Sequence, residues 1–563
     1  MSHPFRATDL PAWADPSVPA SSLDPQGASR RTFLRLGMAG GLALAAGTNA
    51  GTAARATTAS ATTAAAGRPG DPRLAWLVGD HHVHSRYSHD AKYDFDQLAR
   101  KGAELGLDWM VFTEHSNHGH RAKGAAAEHA EIMAARARNP RQLIFQGLEW
   151  YIPAAEHGTV FAAPGPYEVE LLREFERRWD AKLNGWDADL PENEQRAVEA
   201  LRWLAAQKAN GYVDDVLVLA NHPSRLGIDS PHEIRAWRDA ARGVLIGMEG
   251  APGAQGDADP AWVAYRGSTR AQRGEYNNAP RPDSFSGYPV ESYRTFGGYD
   301  WMTATVGGLW DAILAEGTLF SITSNSDNHR TIWDTWRDGD MPPGESFDSL
   351  GWKPSPVDTG TPQPGSDFWP GEFSRTHVGV TRHGYLDVMD GLRRGRVWVD
   401  HGHLVDGLDV RLVGARGGRG TGTTLGGRLS VERGTSVELI IKVRSAHRPN
   451  PHGVLPRLAH LDVIRGAVTG RATDRDSWRA PETRVVEQID TSNRSGTYTL
   501  RVPLGRVTES CYIRLRGSDG NRHGAGYLGA SIDPAGPLPH ADNDGDPWAD
   551  TWLYTNPIYI DVR

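Results

Sequence analysis

The sequence predicts an α/β fold followed by an all-β sandwich at the C-terminal end. Three observations predict it: short apolar runs alternate with amphipathic helical segments from residue 75, several runs end in histidine or acidic residues, and alternating strands replace the helical periodicity past residue 401. Strand–helix alternation is typical of α/β folds, and period-two runs between Gly- and Asn-containing turns are typical of sandwiches. We therefore expect an α/β domain over residues 74–403 and a sandwich over residues 404–563.

The individual elements follow from these runs and their boundaries. Asp94 is a predicted helix N-cap with Gln97 three residues later, and Gly106 ends that helix. The predicted strands of the α/β part are residues 74–84, 107–115, 142–149, 159–163, 216–222, 244–249 and 319–324. Those of the sandwich are residues 408–412, 436–443, 497–502 and 511–515, with a closing strand that ends near residue 560.

Three longer stretches, residues 167–208, 251–299 and 333–374, interrupt the alternation. The first is charged and predicted to be helical, and the others are rich in Gly and Pro. Long insertions in compact domains are usually functional or disordered, and the tryptophans of these stretches favour lids or walls over a site.

Composition limits the functions open to the chain. With 563 residues, 39% hydrophobic and 23% charged, it is globular and long enough for two or three domains. The net charge of -8 predicts no basic face for a polyanion, so we expect no nucleic-acid partner. The one cysteine, Cys511, excludes an intramolecular disulfide, so any metal site must use His, Asp and Glu.

The N-terminus has the order of an export signal. Arg30 and Arg31 precede a Gly/Ala-rich apolar run at residues 37–47 and a small-residue cleavage site at residues 54–56. This order resembles a twin-arginine (Tat) signal peptide over residues 1–56, which implies the Tat translocase as a partner and an extracellular or periplasmic location. A membrane span needs roughly 20 apolar residues, so we expect no stable membrane insertion. Residues 57–73 are a predicted linker.

Histidine and acidic residues recur at the predicted strand ends. His82 and His84 point to one side because strand side chains alternate, whereas His81 points away and is predicted to be structural. In an α/β barrel, groups at the carboxyl ends of the strands meet at the barrel mouth. The candidate metal ligands are His82, His84, Asp90, His115, Glu149, His157, His222, Asp327 and His329.

This series resembles the PHP (polymerase and histidinol phosphatase) domain over about residues 76–401. The motif Gly79-Asp80-His81-His82-Val83-His84-Ser85 is similar to that of a secreted or periplasmic PHP subgroup. The resemblance implies a distorted seven-stranded (β/α) TIM-like barrel with up to three metal ions. It assigns one ion to His82, His84, Glu149 and Asp327, a second to Glu149, His157 and His222, and a third to Asp90, His115 and His329. PHP members vary near the third set, so His89 stays an alternative to Asp90.

Such a ligand set predicts a hydrolase. Imidazole and carboxylate ligands suit zinc, manganese or iron, so we expect two or three divalent ions. Paired ions favour attack by a metal-bridging hydroxide on phosphate esters, which predicts a phosphomono- or diesterase with Glu149 and Asp327 at the catalytic centre. Arg225 and Arg330, each beside a ligand motif, are candidates to steady the phosphate oxygens.

Several alternatives stay open in the sequence. The same metals would serve an ester, amide or carbamate hydrolase, and a non-catalytic protein with a glycan- or wall-binding β-domain belongs to another class. Trp150 and Tyr151 would either line the substrate pocket or pack beneath a loop. His118 and His120 would either support the ligands from behind or act as acids on the leaving group, or they are idle turn residues. The acidic run at residues 542–546 is predicted to be a solvated turn, because its glycine is misplaced for a calcium loop.

Overall fold

The computed structural model describes residues 74–253, 278–329, 334–363, 368–414, 422–539 and 547–563. Four sequence-based predictions lie outside these residues. They are the export signal at residues 1–56, the linker at residues 57–73, the phosphate-binding role of Arg330 and the acidic turn at residues 542–546.

The α/β part is built on seven strands that neighbour one another in one sheet, in the order β1-β2-β3-β4-β5-β6-β9. All seven predicted strands are present, with small shifts at their ends. In chain order the strands of this part are β1 (Ala75–Val83), β2 (Trp109–His115), β3 (Leu143–Tyr151), β4 (His157–Ala162), β5 (Val216–Ala220), β6 (Leu245–Ala251), β7 (Thr295–Phe296), β8 (Tyr299–Asp300) and β9 (Ser321–Ser324). The short strands β7 and β8 pair only with each other.

One strand breaks the regular strand–helix alternation. The pairs β1–β2, β2–β3, β5–β6 and β6–β9 are parallel, but β4 is antiparallel to both β3 and β5. Only residues 152–156 connect β3 to β4, which is too short for the crossover that a parallel pair requires. The first residue of β4 therefore lies at the same end of the sheet as the last residues of its neighbours.

The chain after β9 returns to the end of β1. Val83 forms an isolated bridge with Asn328, and the backbone N–H of His84 donates a 2.9 Å hydrogen bond to the carbonyl of Asn328. The first and last of the seven strands are therefore connected at the end where the candidate ligands lie.

Several helices pack against the strands of this sheet. The backbone N–H of Asp94 donates to Oε1 of Gln97 at 3.0 Å, and Gly106 has a φ of 90°, so the predicted cap and stop of the first helix are present. The helices are α1 (Phe95–Glu104), α2 (Ala125–Arg138), α3 (Glu168–Trp179), α4 (Ala181–Asn184), α5 (Pro191–Ala209), α6 (Pro231–Ala240), α7 (Trp301–Ala304), α8 (Leu309–Ala315), α9 (Phe347–Leu350) and α10 (Tyr385–Arg393), with a π-helical turn at His120–Gly124 and 3-10 turns at Val290–Tyr293 and Pro547–Ala549. No helix of the described ranges is long and apolar enough to cross a membrane.

The insertions differ in structure. Helices α3, α4 and α5 confirm the helical prediction for residues 167–208. The third stretch lies against the loop after β1, where the backbone N–H of Lys353 donates to the carbonyl of Arg86 at 2.7 Å. The ring of Phe347 in this stretch is 6.3 Å from the ring of His89. This stretch therefore forms a wall beside the loop that carries His89 and Asp90.

The C-terminal region is rich in strands, as the sequence predicts. Its strands and those that lead into it are β10 (Asp334–Arg337), β11 (Val357–Gln363), β12 (Ser374–Val380), β13 (Val397–His401), β14 (Val405–Gly414), β15 (Gly422–Thr424), β16 (Arg428–Val431), β17 (Thr435–Ser445), β18 (His460–Ala467), β19 (Arg484–Asp490), β20 (Thr497–Val507), β21 (Cys511–Ser518), β22 (Trp552–Thr555) and β23 (Ile558–Val562). Strand β18 is buried at most positions and β19 is largely exposed, so neither shows the alternation that would have predicted it.

Two sheets share the core of this region. The first sheet has the strand order β15-β14-β17-β20. The second continues the α/β sheet from β1 through β12, β13, β22 and β21. Leu408 and Ile441 from the first sheet pack in one apolar cluster with Val463 and Leu515 from the second. The large sheet is therefore continuous from the α/β part into the strand-rich part.

Candidate metal centre

The candidate ligands come from separate strand ends that the sheet brings together. They are His82 and His84 at the end of β1, Asp90 in the next loop, His115 at the end of β2, Glu149 in β3, His157 at the start of β4, His222 after β5, and Asp327 and His329 after β9. His157 reaches this place because β4 is antiparallel. His222 and Asp327 have positive φ angles of 30° and 45°, a strained conformation that recurs at functional sites.

The first ligand group joins four buried residues, His82, His84, Glu149 and Asp327. Oδ1 of Asp327 lies 3.1 Å from Nε2 of His82 and 3.3 Å from Nε2 of His84. The carboxylate oxygens of Glu149 lie 3.2 Å and 3.4 Å from the same two nitrogens. The two Nε2 atoms are 3.0 Å apart, so all of these ligand atoms face one small space.

The second group shares Glu149 with the first. Oε1 of Glu149 lies 2.9 Å from Nδ1 of His157 and 3.3 Å from Nε2 of His222. The buried Glu156 adds a carboxylate oxygen 3.6 Å from Nδ1 of His222. Glu149 therefore lies between two adjoining sets of ligand atoms.

The third group is next to the other carboxylate oxygen of Glu149, Oε2. This oxygen is 2.8 Å from Nδ1 of His115. The Nε2 atoms of His115 and His329 are 3.3 Å apart. Oxygens of Asp90 lie 3.4 Å from Nε2 of His115 and 3.5 Å from Nε2 of His329. His89 groups with Asp90 and His115, so both alternatives lie at this place, but Asp90 contacts both imidazoles.

Hydrogen bonds behind the ligands fix which imidazole nitrogens are free to bind a cation. Nδ1 of His82 lies 2.7 Å from Oε1 of Glu249, a buried carboxylate that accepts its proton. Nδ1 of His84 lies 2.8 Å from Oγ of Ser88, and that hydroxyl already donates its hydrogen to Glu114 at 2.7 Å. Each Nδ1 must therefore be the donor, which leaves a lone pair on each Nε2.

While both imidazoles are neutral, these two lone pairs have no hydrogen-bond donor between them. Two acceptor nitrogens 3.0 Å apart, with carboxylate oxygens beside them, repel one another in a buried space. A cation placed among them removes this repulsion, and a carboxylate or hydroxyl behind each imidazole is the usual support of a metal-ligating histidine. The donor set therefore fits divalent metal ions.

Charge interactions in the centre are strong. Burial lowers the pKa of His82, but Asp327, Glu149 and Glu249 outweigh it and raise that pKa well above the ordinary value. Burial raises the pKa of Glu149, but His157, His82 and His115 hold it well below its usual range. Without metal ions, protons on the imidazoles therefore balance the carboxylates, and metal ions must displace those protons.

The sequence comparisons agree with this geometry. Residues 80–266 match the PHP domain family. The match begins at Asp80, beside His82 and His84, and includes Glu149 and His222. No curated protein matches the chain.

Two solved structures show weak similarity. A two-domain protein of Bacteroides vulgatus ATCC 8482, described as containing a predicted PHP-like metal-dependent phosphoesterase, is 12% identical over 84% of this chain and 99% of its own, with a TM-score of 0.32. Endonuclease Q in complex with a 27-mer duplex with an abasic lesion is 15% identical over 31% of this chain, with a TM-score of 0.20. The chain spans 42% of that endonuclease.

Sequence reasoning missed the carboxylates that support the candidate ligands. Glu249 contacts His82 and accepts from the backbone N–H of His222 at 2.7 Å, and Glu156 lies beside His222. Asp80 accepts from the backbone N–H groups of His82 and Ser326 at 3.1 Å and 3.0 Å. Glu249 ends a predicted strand, as several ligands do, and that position was the signal available.

Trp150 and Tyr151 are adjacent in the chain, but their side chains lie in different surroundings. Trp150 is buried and donates from its indole to the carbonyl of Trp179 at 2.8 Å, so it packs beneath the insertion. Tyr151 faces the candidate metal centre, with its hydroxyl 3.5 Å from Nδ1 of His115. Alternation along β3 explains the difference, because successive side chains point to opposite faces.

The remaining candidates lie around the centre. Arg225 donates from Nη2 to Oε2 of Glu156 at 2.8 Å, so its guanidinium is bound to a carboxylate beside His222. His81 is buried and belongs to none of the metal-ligand groups of the described residues. His118 is exposed, whereas His120 is buried between Glu176 at 3.0 Å and Glu128 at 3.2 Å.

Proposed function

We propose that this chain is a metal-dependent hydrolase that acts on phosphoesters. The observation that carries the proposal is the pair of Nε2 lone pairs of His82 and His84, directed at each other and at Asp327 and Glu149 in a buried space. A second set of ligand atoms adjoins the first through Glu149, and such paired sites suit phosphoester chemistry.

The three ligand groups described above would hold two or three ions, and their nitrogen and oxygen atoms suit zinc, manganese or iron. Ions bound there would supply Lewis-acid activation of water and charge neutralisation for the substrate. The protein's own contribution is orientation. Glu249 and Ser88 fix the imidazoles of His82 and His84, and Glu149 ties the groups into one centre.

Elemental analysis of the purified protein, combined with a substrate panel, tests the proposal. We expect two or three equivalents of a transition metal per chain and hydrolysis of p-nitrophenyl phosphate or its bis ester. Metal-bound protein that hydrolyses p-nitrophenyl acetate but neither phosphate ester would contradict the phosphoesterase assignment.

A carbonyl hydrolase, acting on an ester, amide or carbamate, is the second candidate. One observation favours it: Arg225, which the sequence predicts as a phosphate ligand, is bound to Glu156. A guanidinium paired in this way is less available to phosphate oxygens. The substrate panel separates the two functions, and the Arg225→Ala variant tests the arginine itself, because a phosphate-binding role predicts a higher KM for phosphoesters and a structural role does not.

Export and architecture complete the proposal. Arg30 and Arg31 would direct the chain to the Tat translocase, so that the metal centre is assembled before export, and the mature enzyme would be periplasmic or extracellular. A variant with both arginines changed to lysine that is still exported normally would contradict this route. We further propose a seven-stranded barrel over residues 74–403 and a sandwich over residues 404–563.

A further inference from the structure

A lysine from the helical insertion reaches the rim of the centre. Lys182 lies in α4, and its Nζ donates a 3.2 Å hydrogen bond to the hydroxyl of Tyr151 and lies 4.6 Å from the centre of that ring. The same hydroxyl is 3.5 Å from Nδ1 of His115, and the ring is 4.4 Å from the ring of His157. One tyrosine thus connects Lys182 to two of the ligand groups.

Two anchors fix this lysine although its side chain is exposed. Asp180 is buried and accepts from the backbone N–H of Tyr151 at 3.1 Å and from that of Leu183 at 3.0 Å. The backbone N–H of Ala154 donates to the carbonyl of Trp186 at 3.0 Å. The turn that carries Lys182 and the end of β3 are therefore held together on both sides.

The contacts of Lys182 place its charge near the third ligand group, because the Tyr151 hydroxyl that it contacts also lies beside His115. Arg225, by contrast, is bound to Glu156. Lys182 therefore supplies a positive charge at the rim that the sequence did not single out.

We propose that the Lys182 ammonium and the Tyr151 hydroxyl form an anion subsite that binds the terminal phosphate of a phosphomonoester. This inference rests on the proposed function and narrows its substrate class. A monoester phosphate carries about 1.5 to 2 negative charges near pH 7 and three non-bridging oxygens. A diester has a single charge and one free oxygen fewer. A cation and a hydroxyl beside the ligand groups would bind the additional negative charge and the additional free oxygen of the monoester.

The subsite is tested with K182Q, K182R and Y151F against wild type. The matched control is K101Q, because Lys101 also pairs locally, with Glu104 at 3.0 Å, and lies 5.7 Å from an aromatic ring, that of Trp369. Each protein is measured for metal content, for kcat and KM on p-nitrophenyl phosphate and its bis ester, and for the affinity of inorganic phosphate by calorimetry.

Loss of one charge-assisted hydrogen bond predicts about a tenfold weaker phosphate affinity and a tenfold higher monoester KM in K182Q, at unchanged metal content. The diester KM should change by less than about threefold, since it lacks the second charge. K182R should retain most of the affinity, and Y151F should lose about threefold. K101Q should match wild type.

The outcomes separate this inference from the proposed function. A K182Q variant that equals wild type in phosphate affinity and monoester KM overturns the subsite, even if the wild type is a phosphoesterase. An equal effect of K182Q on both esters overturns the monoester preference. Wild type that hydrolyses no phosphoester, yet binds phosphate in a Lys182-dependent way, overturns the proposed function and supports the subsite.

Discussion

Two of the buried charged clusters among the described residues are built differently. In the strand-rich C-terminal part, Arg516 donates from Nε and Nη2 to Asp462 at 3.0 Å and 2.5 Å, and from Nη1 and Nη2 to Asp533 at 2.7 Å and 2.6 Å. In the candidate metal centre, neutral His82 and His84 direct acceptor nitrogens at each other across 3.0 Å. The first group is satisfied by its own members, whereas the second, with neutral imidazoles, is not.

The difference separates a structural cluster from a binding site. Buried charges persist when each donor meets an acceptor, as the guanidinium of Arg516 does. A buried set made mostly of acceptors needs added protons or a cation, and a divalent metal ion is the cation that nitrogen and carboxylate lone pairs select. Burial and charge are common to both, so the balance of donors and acceptors is what identifies the site.

Metal removal should produce the largest difference between the two clusters. We expect chelation to reduce hydrolysis to background and to restore it when zinc or manganese is added back. The free energy of unfolding should fall as well, by about 2.7 kcal/mol if the ion was present at 100 times its dissociation constant. Activity assays and chemical unfolding before and after chelation measure both. Full activity in protein shown to be metal-free would contradict the claim that the His82 and His84 cluster works by binding a metal ion.

Asp533→Asn tests the self-satisfied cluster. Removing one partner of the buried Arg516 should lower the free energy of unfolding by about 3–5 kcal/mol, while activity per folded molecule stays unchanged. The matched control is Asp561→Asn, whose exposed pair with Arg428 should contribute less than about 1 kcal/mol. Urea unfolding compares them. Equal effects of the two substitutions would show that burial of the Arg516 cluster adds nothing.

Glu249→Gln tests the hydrogen bonds behind the metal ligands. The neutral amide accepts from Nδ1–H of His82 less strongly than the carboxylate does, so metal affinity or activity should fall by about 10- to 100-fold. Glu438→Gln, on an exposed pair with Arg501, is the control and should have no effect on either. Metal competition with a chelating dye gives the affinity. Unchanged affinity in Glu249→Gln would mean that Glu249 does not orient His82.

The two clusters should make the stability of the protein depend on pH in opposite directions. Burial lowers the pKa of His115, but Tyr151, Asp90 and Glu149 raise it well above 6.5. In metal-free protein, protonated His115 therefore contributes fully to the free energy of unfolding below pH 6.5. This contribution is lost as the pH rises through the pKa of the folded state. Burial raises the pKa of Asp462, but Arg516 lowers it below 3.8. The contribution of ionised Asp462 to the free energy of unfolding is therefore lost only in acid.

Metal binding displaces the imidazole protons, so affinity should rise about tenfold per pH unit for each proton released. Titrations with Mn²⁺ at pH 6, 7 and 8 measure this slope. Affinity that does not change over this range would contradict the protonated state of the metal-free centre.

Much of the fold was predictable because its elements have local causes. The strand that ends in His82 and His84 and the helix capped by Asp94 follow from periodicity and end signals. Strand β19 was missed because it is mostly exposed, and its pairing with β18 depends on residues distant in the chain. The direction of β4 was also not predicted, because hydrophobic periodicity marks a strand without its direction, and only the short connection after Tyr151 excludes a crossover.

The sequence by itself determined which ligand types are present and in what order, from His82 to His329, and that no thiolate cluster competes with them. Only the tertiary structure decided that Glu249 supports His82, that Arg225 is bound to Glu156, and that Lys182 reaches Tyr151. The physical reason is that residue type and period fix the atoms that a segment offers, whereas their partners are set by packing between segments far apart in the chain.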